Sequence, residues 1–216
     1  MALCSLGVDD ADRKQRVRDK STGRPGEPTS DKQAGIRRGR LRPGVRRLLA
    51  VIAVVLVLFI GVTVRLFVWP ADGMPAKVDA ILMVDSPQGD TLGTALRLAH
   101  QHRAPYLLIS LGSPESATYK CPGPMPHVKV VCFIPKPATT QGEAEFFGRL
   151  ARRNSWHSVV VVTMTPQASR TRLRVKRCFA GKVYMVTAAI PLRAWPYQLA
   201  YQWGALIKAF VVQRSC

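Results

Sequence analysis

The chain has 216 residues, with 32 Lys/Arg against 13 Asp/Glu and a formal net charge of +19. That length leaves room for one domain plus extensions and excludes a larger array of domains. Hydrophobic residues make up an ordinary 47%, but this average covers three unlike zones: 1–47, 48–69 and 70–216.

Zone 1–47 is rich in Arg, Lys, Asp, Gly, Ser and Pro and has no apolar periodicity. It cannot bury enough apolar surface to offset chain entropy, so it reads as a disordered tail. It holds 13 Lys/Arg against 6 Asp/Glu, a net +7. Arg37, Arg38, Arg40, Arg42, Arg46 and Arg47 sit directly before the next zone. A nucleic-acid partner is not expected, because no aromatic side chains interleave these charges.

From Leu48 to Val64 no residue is charged. A helix rising about 1.5 Å per residue needs ~20 residues to cross ~30 Å of hydrocarbon. Leu48–Val68 meets that requirement if Arg65 snorkels to the interface, beside Trp69. Pro70 ends the run. A core helix would show a polar face. A cleaved signal peptide would have a shorter leader and a small-residue cleavage site, which Met74-Pro75-Ala76 imitates poorly. The expectation is a retained single-pass anchor in the plasma membrane, with the lipid bilayer as partner. The Arg cluster places the N-terminus in the cytoplasm and 70–216 outside.

In the outer zone, Cys121, Cys132, Cys178 and Cys216 form an even set in an oxidising compartment. Three connectivities are open. Cys121–Cys132, closing a Pro/Gly-rich loop, is the first expectation and Cys132–Cys178 the second. No C-x-x-C spacing or His pair suggests a metal; His100 and His102 point to different faces.

Five apolar, β-branched runs follow: Val78–Val84, Tyr106–Ser110, Val128–Ile134, Val159–Thr163 and Val183–Thr187. Helical spacing lies between most of them, over Thr91–His102, Thr140–Arg153, Pro166–Phe179 and finally Pro196–Val212, whereas Gly112–Lys129 reads as an irregular loop. Alternating elements with fully apolar strands predict a three-layer α/β sandwich with a mainly parallel sheet. Ligands of such sheets sit beyond the carboxyl ends of the strands.

Three segments fall there. In Asp85-Ser86-Pro87-Gln88-Gly89-Asp90-Thr91, Gly89 lets backbone approach a ligand and Asp85 offers an acid or base; the alternative is a plain turn with Asp90 capping the helix. In Thr139-Thr140-Gln141-Gly142-Glu143, Thr140 and Glu143 have capping-box spacing, and Glu143 is otherwise a base or hydroxyl acceptor. In Thr163-Met164-Thr165-Pro166-Gln167-Ala168-Ser169-Arg170, Thr165 is placed to cap, and Gln167 and Arg170 share a helix face. Arg170 can fork onto a phosphate or carboxylate. The alternative is a solvated basic face continuing through Arg172, Arg174, Lys176 and Arg177. Residues 70–216 hold 18 Lys/Arg and 7 Asp/Glu, a net +11. Such a domain beside a membrane attracts anionic headgroups and lipid-linked phosphates. There is no G-x-S-x-G elbow, P-loop or G-x-G-x-x-G, and no cofactor is expected.

The ordered set Val78-Asp79-Ala80-Ile81, Ala95-Leu96-Arg97-Leu98-Ala99, Ala104-Pro105, Pro137-Ala138-Thr139-Thr140-Gln141-Gly142-Glu143-Ala144, Val162-Thr163 and Arg170 resembles the YdcF/SanA/ElyC-like family over residues 76–212. The resemblance implies a Rossmann-like domain behind a membrane anchor. It also implies a role in cell-envelope biogenesis, such as peptidoglycan or lipid-carrier metabolism. Asp85-Ser86 stands where the family commonly has Gly-Gly, Thr91 where an Arg is common, Gln167 for a His and Gln202 for a Glu. S-adenosylmethionine, implied by one soluble relative type, is not supplied outside the membrane.

Together these readings lead to an outer domain that binds an anionic, phosphate-bearing envelope ligand. Arg170, Gln167 and Thr165 would hold the anion, with Thr140, Glu143, Ser86 and Gly89 around it. The second expectation is a hydrolase or transferase on a lipid-linked intermediate, with Glu143 or Asp85 as acid or base. The third is a non-catalytic module that recruits wall-synthesis proteins.

Overall fold

A computed structural model describes residues 42–71, 73–116 and 120–216. The basic tail read over 1–47 lies almost wholly outside the described residues. The elements in order are α1 (Pro43–Thr63, extended by a π-helical turn Val64–Val68), β1 (Ala80–Met83), α2 (Thr91–His100), β2 (Tyr106–Ser110) and β3 (Lys129–Phe133). Then come α3 (Thr140–Arg153), β4 (Ser158–Met164), α4 (Ala168–Cys178), β5 (Lys182–Ala188) and α5 (Trp195–Val211).

The strands form one five-stranded sheet in the order β3-β2-β1-β4-β5, parallel throughout. The apolar runs become strands because both faces are covered, as β-branched side chains require for burial without alternation. On one face Ala80, Leu82, Leu108 and Val161 meet Ala144, Phe147 and Ala151 of α3 and Ala168 and Val175 of α4. On the other, Ile81, Met83, Leu107 and Val160 meet Ala95, Leu98 and Ala99 of α2. Each fully buried Val, Leu, Ile, Met or Phe side chain among these contributes about 1.5–3 kcal/mol, and the alanines less. The protein is therefore a three-layer, Rossmann-like α/β sandwich.

β1 and β4 are tied at their amino ends by Asp79. Its Oδ2 accepts from the N–H groups of His157 and Ser158, both at 2.8 Å, and from Ser158 Oγ at 2.9 Å. Burial pushes this carboxyl up, but the His157 and Ser158 hydrogen bonds together outweigh it and hold the pKa below 3.8. A carboxylate with a depressed folded pKa stabilises the fold above its unfolded pKa and loses that effect as pH falls through the folded value. Asp79→Asn is therefore expected to lower the melting temperature at pH 7, with the difference from the parent shrinking below pH 3.8. A pH-independent difference in thermal scans would remove the carboxylate from the account.

α1 is long and apolar enough to cross a membrane, over Pro43–Val68. No side chain of Pro43–Thr63 is buried. The end of α1 nonetheless docks on the domain. Phe67 is fully buried, and the Leu66 carbonyl accepts from Ser169 Oγ at 2.6 Å. Trp203 of α5 stacks on Phe59 and meets Phe67 edge-on, each at 5.3 Å between centroids.

Disulfides join Cys121 to Cys132 and Cys178 to Cys216. The alternative Cys132–Cys178 does not form, because β3 directs Cys132 to the loop before it while the C-terminal tail returns to the end of α4. The basic run on α4 is also more than a solvated face. Arg174 is buried, its guanidinium donating to the carbonyl and side chain of Gln213. Arg177 donates to the carbonyls of Ala209 and Gln213 at 2.8 and 2.7 Å.

Candidate functional site

A cavity of about 490 Å³ opens at the carboxyl ends of the strands. Asp85 follows β1, Gly112 follows β2, Pro135 follows β3 and Gln167 follows β4, so four strand ends contribute to its lining. It lies where the strand order reverses between β1 and β4, the usual crevice of an open parallel sheet. The start of α3 supplies Thr140 and Glu143, α4 supplies Arg170, and α5 covers one side with Tyr197, Tyr201 and Lys208.

The start of α3 departs from the capping box. The cap is Thr139, whose Oγ1 accepts from the Gly142 N–H at 3.3 Å. Thr140 is thereby the first helical residue, and its side chain turns into the cavity. Glu143 does not reach back to the cap; its Oε1 accepts from the Asp85 N–H at 2.8 Å. Thr165 does not cap either: its hydroxyl donates to the Ala188 carbonyl at 3.1 Å, and α4 begins without a side-chain cap after a 3₁₀ turn. Gly89, with φ of +80°, presses against the Ala188–Ala189 backbone. It serves that internal contact and does not line the cavity. Asp90 does cap α2, accepting from the Gly93 N–H at 2.8 Å.

One polar chain links the strand switch point to α5. Ser86 Oγ donates to Gln167 Oε1 at 3.2 Å and lies 3.3 Å from Thr163 Oγ1. Gln167 Nε2 donates to Thr140 Oγ1 at 3.3 Å. Arg170 Nη1 donates to the same oxygen at 3.2 Å, and Arg170 Nε to Gln202 Oε1 at 3.0 Å. Gln202 Nε2 then donates to Gln198 Oε1 at 3.4 Å. Gln167, Gln198 and Gln202 are all buried. The structure thus brings Ser86, Thr140, Gln167 and Arg170 together, with Asp85 and Glu143 beside them, and leaves Thr165 and Gly89 outside.

Hydrogen-bond accounting gives this chain a direction. Thr140 Oγ1 accepts two bonds, which uses both lone pairs and leaves its own proton to donate. Among the described residues, no protein acceptor takes Nη2 of Arg170. The guanidinium lies 5.9 Å from the Tyr201 ring centroid and is oriented by that face. Burial lowers the Arg170 pKa, while Tyr201 and Glu143 raise it; at neutral pH the guanidinium stays charged. Lys208 adds a second cation to the wall.

Glu143 is the second electrostatic feature. It is 3% exposed, and its pKa is raised from 4.5 to about 7. Burial is the main cause and the Asp85 charge adds to it; the Ser110 hydroxyl, the Asp85 N–H and the Arg170 charge pull the other way. Ser110 acts through proximity, since its buried Oγ makes no hydrogen bond of normal geometry. Asp85 itself is paired with Lys120 at 2.6 Å. Lys120 precedes Cys121, so the Cys121–Cys132 bond holds the loop that carries this ion pair. No group of three His, Cys, Asp or Glu among the described residues is placed to hold a metal.

Several lining residues escaped the sequence reading. Tyr197, Tyr201 and Lys208 are spaced by four and seven, which puts them on one helix face; that spacing was the available signal. Lys120 had none, because its ion pair spans 35 residues. No protein-family model, curated protein or solved structure matches the chain.

Proposed function

We propose that the protein is a single-pass membrane-anchored cell-envelope component, as the resemblance to the YdcF/SanA/ElyC-like family implies, and that its outer domain binds a phosphate-bearing, lipid-linked anion. The observation that carries this reading is the convergence of unspent donors on one cavity: Arg170 Nη2, the Thr140 hydroxyl and Lys208. Anions are held by such donor sets, and a guanidinium fork suits a phosphate. The position of Gln202 is consistent with binding. A Glu there, as the family commonly has, would neutralise Arg170, whereas the amide orients it and leaves its charge to a ligand.

Topology supports a ligand from the envelope. Six Arg lie within residues 37–47, directly before the uncharged run of α1, which favours a cytoplasmic N-terminus. The two disulfides suit an oxidising compartment on the far side.

The test is titration of a short-chain polyprenyl phosphate against the full chain in detergent, compared with Arg170→Ala. Charge-assisted bonds are worth about 1.5–3 kcal/mol, so the variant is expected to bind at least ~10-fold more weakly. Equal affinity would overturn the assignment of Arg170.

A second reading has its own support. A carboxyl with a pKa of about 7 inside a cavity matches what a general acid or base needs near neutral pH. Glu143 would then accept a proton from water attacking the bound phosphoryl group as the P–O bond to the lipid alcohol breaks, and would return that proton to the departing alkoxide. Phosphate release from the same ligand, abolished in Glu143→Gln with binding retained, would establish a hydrolase; binding without release would leave a binding protein.

A further inference from the structure

We infer that α5 is a second membrane-contacting element, lying in the headgroup layer beside the end of α1, so that the cavity mouth opens onto the lipid surface. This rests on the reading of α1 as a membrane span. It adds a surface, a partner and a route by which a lipid-linked ligand reaches the site.

The first observation is composition and face. In the 17 residues of α5 the only charged side chain is Lys208. Ala200, Gly204, Ile207 and Val211 are spaced by four, three and four, which makes one stripe along the helix. All four are exposed, Ile207 by 57% and Val211 by 60%. A helical stripe of this kind, on a helix that already buries Gln198, Gln202, Leu206 and Ala209 in the domain, marks an interaction surface.

The second observation says what covers it. On one edge of the stripe, Trp203 stacks on Phe59 and donates from Nε1 to Thr63 Oγ1 at 3.3 Å. Phe59 belongs to the uncharged run of α1, nine residues before Val68. At 1.5 Å per residue that is roughly 14 Å below the end of the helix. A side chain of α5 therefore reaches α1 at a depth that belongs to the bilayer whenever α1 spans it. Measured from Arg65, which the anchor reading places at the interface, Phe59 is six residues or roughly 9 Å deep, within the ~5–10 Å by which interfacial helices bury their apolar face.

The third observation is charge. Residues 146–216 hold 12 Lys/Arg and no Asp/Glu. Arg193 and Arg214 flank α5, both exposed. An apolar stripe flanked by cations and free of acids suits anionic headgroups above acyl chains, and Tyr and Trp favour that boundary. On the other edge of the stripe stand Tyr197, Tyr201 and Lys208, which rim the cavity. A bilayer covering the stripe therefore reaches the mouth.

The test uses the full chain in lipid nanodiscs of phosphatidylcholine and phosphatidylglycerol, with ordinary or brominated acyl chains. Three single variants each add one tryptophan to the native four: Leu56→Trp in α1, Ile207→Trp in the stripe, and His100→Trp. His100 is exposed at the end of α2, which covers the opposite face of the sheet from α4. Leu56→Trp and Ile207→Trp are expected to lose most of their added emission in brominated discs, and His100→Trp to keep it. If Leu56→Trp is quenched and Ile207→Trp is no more quenched than His100→Trp, α5 is covered by something else, such as a second copy of the chain, and the inference is overturned. An unquenched Leu56→Trp would instead overturn the anchor reading, and this inference with it.

Discussion

Glu143→Gln is expected to flatten a fall in stability that the parent shows between pH 4.5 and about 7. The carboxyl is buried, and its raised pKa means that the folded state keeps a proton the unfolded chain has released. Stability is then fully present below pH 4.5 and declines until pH passes about 7, where both states are ionised. The interval of about 2.5 units corresponds to roughly 3 kcal/mol. Gln retains an oxygen for the Asp85 N–H and carries no charge, so the variant should be as stable as the parent near pH 4.5 and more stable at pH 8. If the cavity binds phosphate as proposed, the same proton couples to that ligand. A phosphate at Arg170 adds negative charge close to Glu143, so affinity in the parent should weaken as pH rises past about 7, while in Glu143→Gln that dependence should vanish. Denaturant titrations and ligand titrations at both pH values check the two halves separately. Parallel pH profiles for parent and variant would mean that Glu143 does not carry this proton.

The sheet was legible because its strands are local patterns. Val159–Val162 is apolar and β-branched throughout, a run without alternation that suits a doubly covered parallel strand. The Cys121–Cys132 bond was legible for a similar reason, since it closes a short Pro/Gly-rich loop. Cys178–Cys216 was not, because it depends on α5 folding back across α4. The site was half legible. Arg170 and Gln167 stood out through their spacing after a buried strand. The capping box misled by a single residue: Thr139 and Thr140 are both competent caps, and the extended backbone of Thr139, with φ of −148° and ψ of 163°, decides between them. That shift turns Glu143 by one helical position, from the helix start toward the strand ends, and changes a capping carboxylate into a buried one. Spacing puts Tyr201 and Lys208 on one face of α5, but they and the buried Gln198 and Gln202 enter the site only because tertiary packing lays that helix over the cavity. The basic residues of α4 misled in the opposite direction. Their density reads as solvation, yet Arg174 and Arg177 bind the carbonyl of Gln213, and only the returning tail supplies that partner.

The geometry at the start of α3 leads to a second large effect. Gly142→Ala is expected to destabilise the domain and weaken the proposed ligand site together. A Cβ at Gly142 would overlap the Pro137 carbonyl oxygen and approach the Lys136–Pro137 peptide at 3.0 Å. The obstacles are backbone on both sides, so no rotamer change relieves them, and the first turn of α3 must move. Overpacking of this kind costs about 1–3 kcal/mol or more. The turn that moves carries Thr140 and Glu143, so the shift also breaks the hydrogen bonds to Gln167, Arg170 and Asp85. Gly204→Ala provides the opposite case. A Cβ there meets nothing within 4 Å, and Ala in a helix interior is favoured over Gly by up to ~1 kcal/mol. Denaturant unfolding of the full chain in detergent should therefore move in opposite directions for the two variants. Phosphate-ligand affinity should fall only in Gly142→Ala. A Gly142→Ala protein as stable as the parent would show that the helix start is not held against the Pro137 segment. Thr140 and Glu143 would then owe their place in the cavity to some other contact.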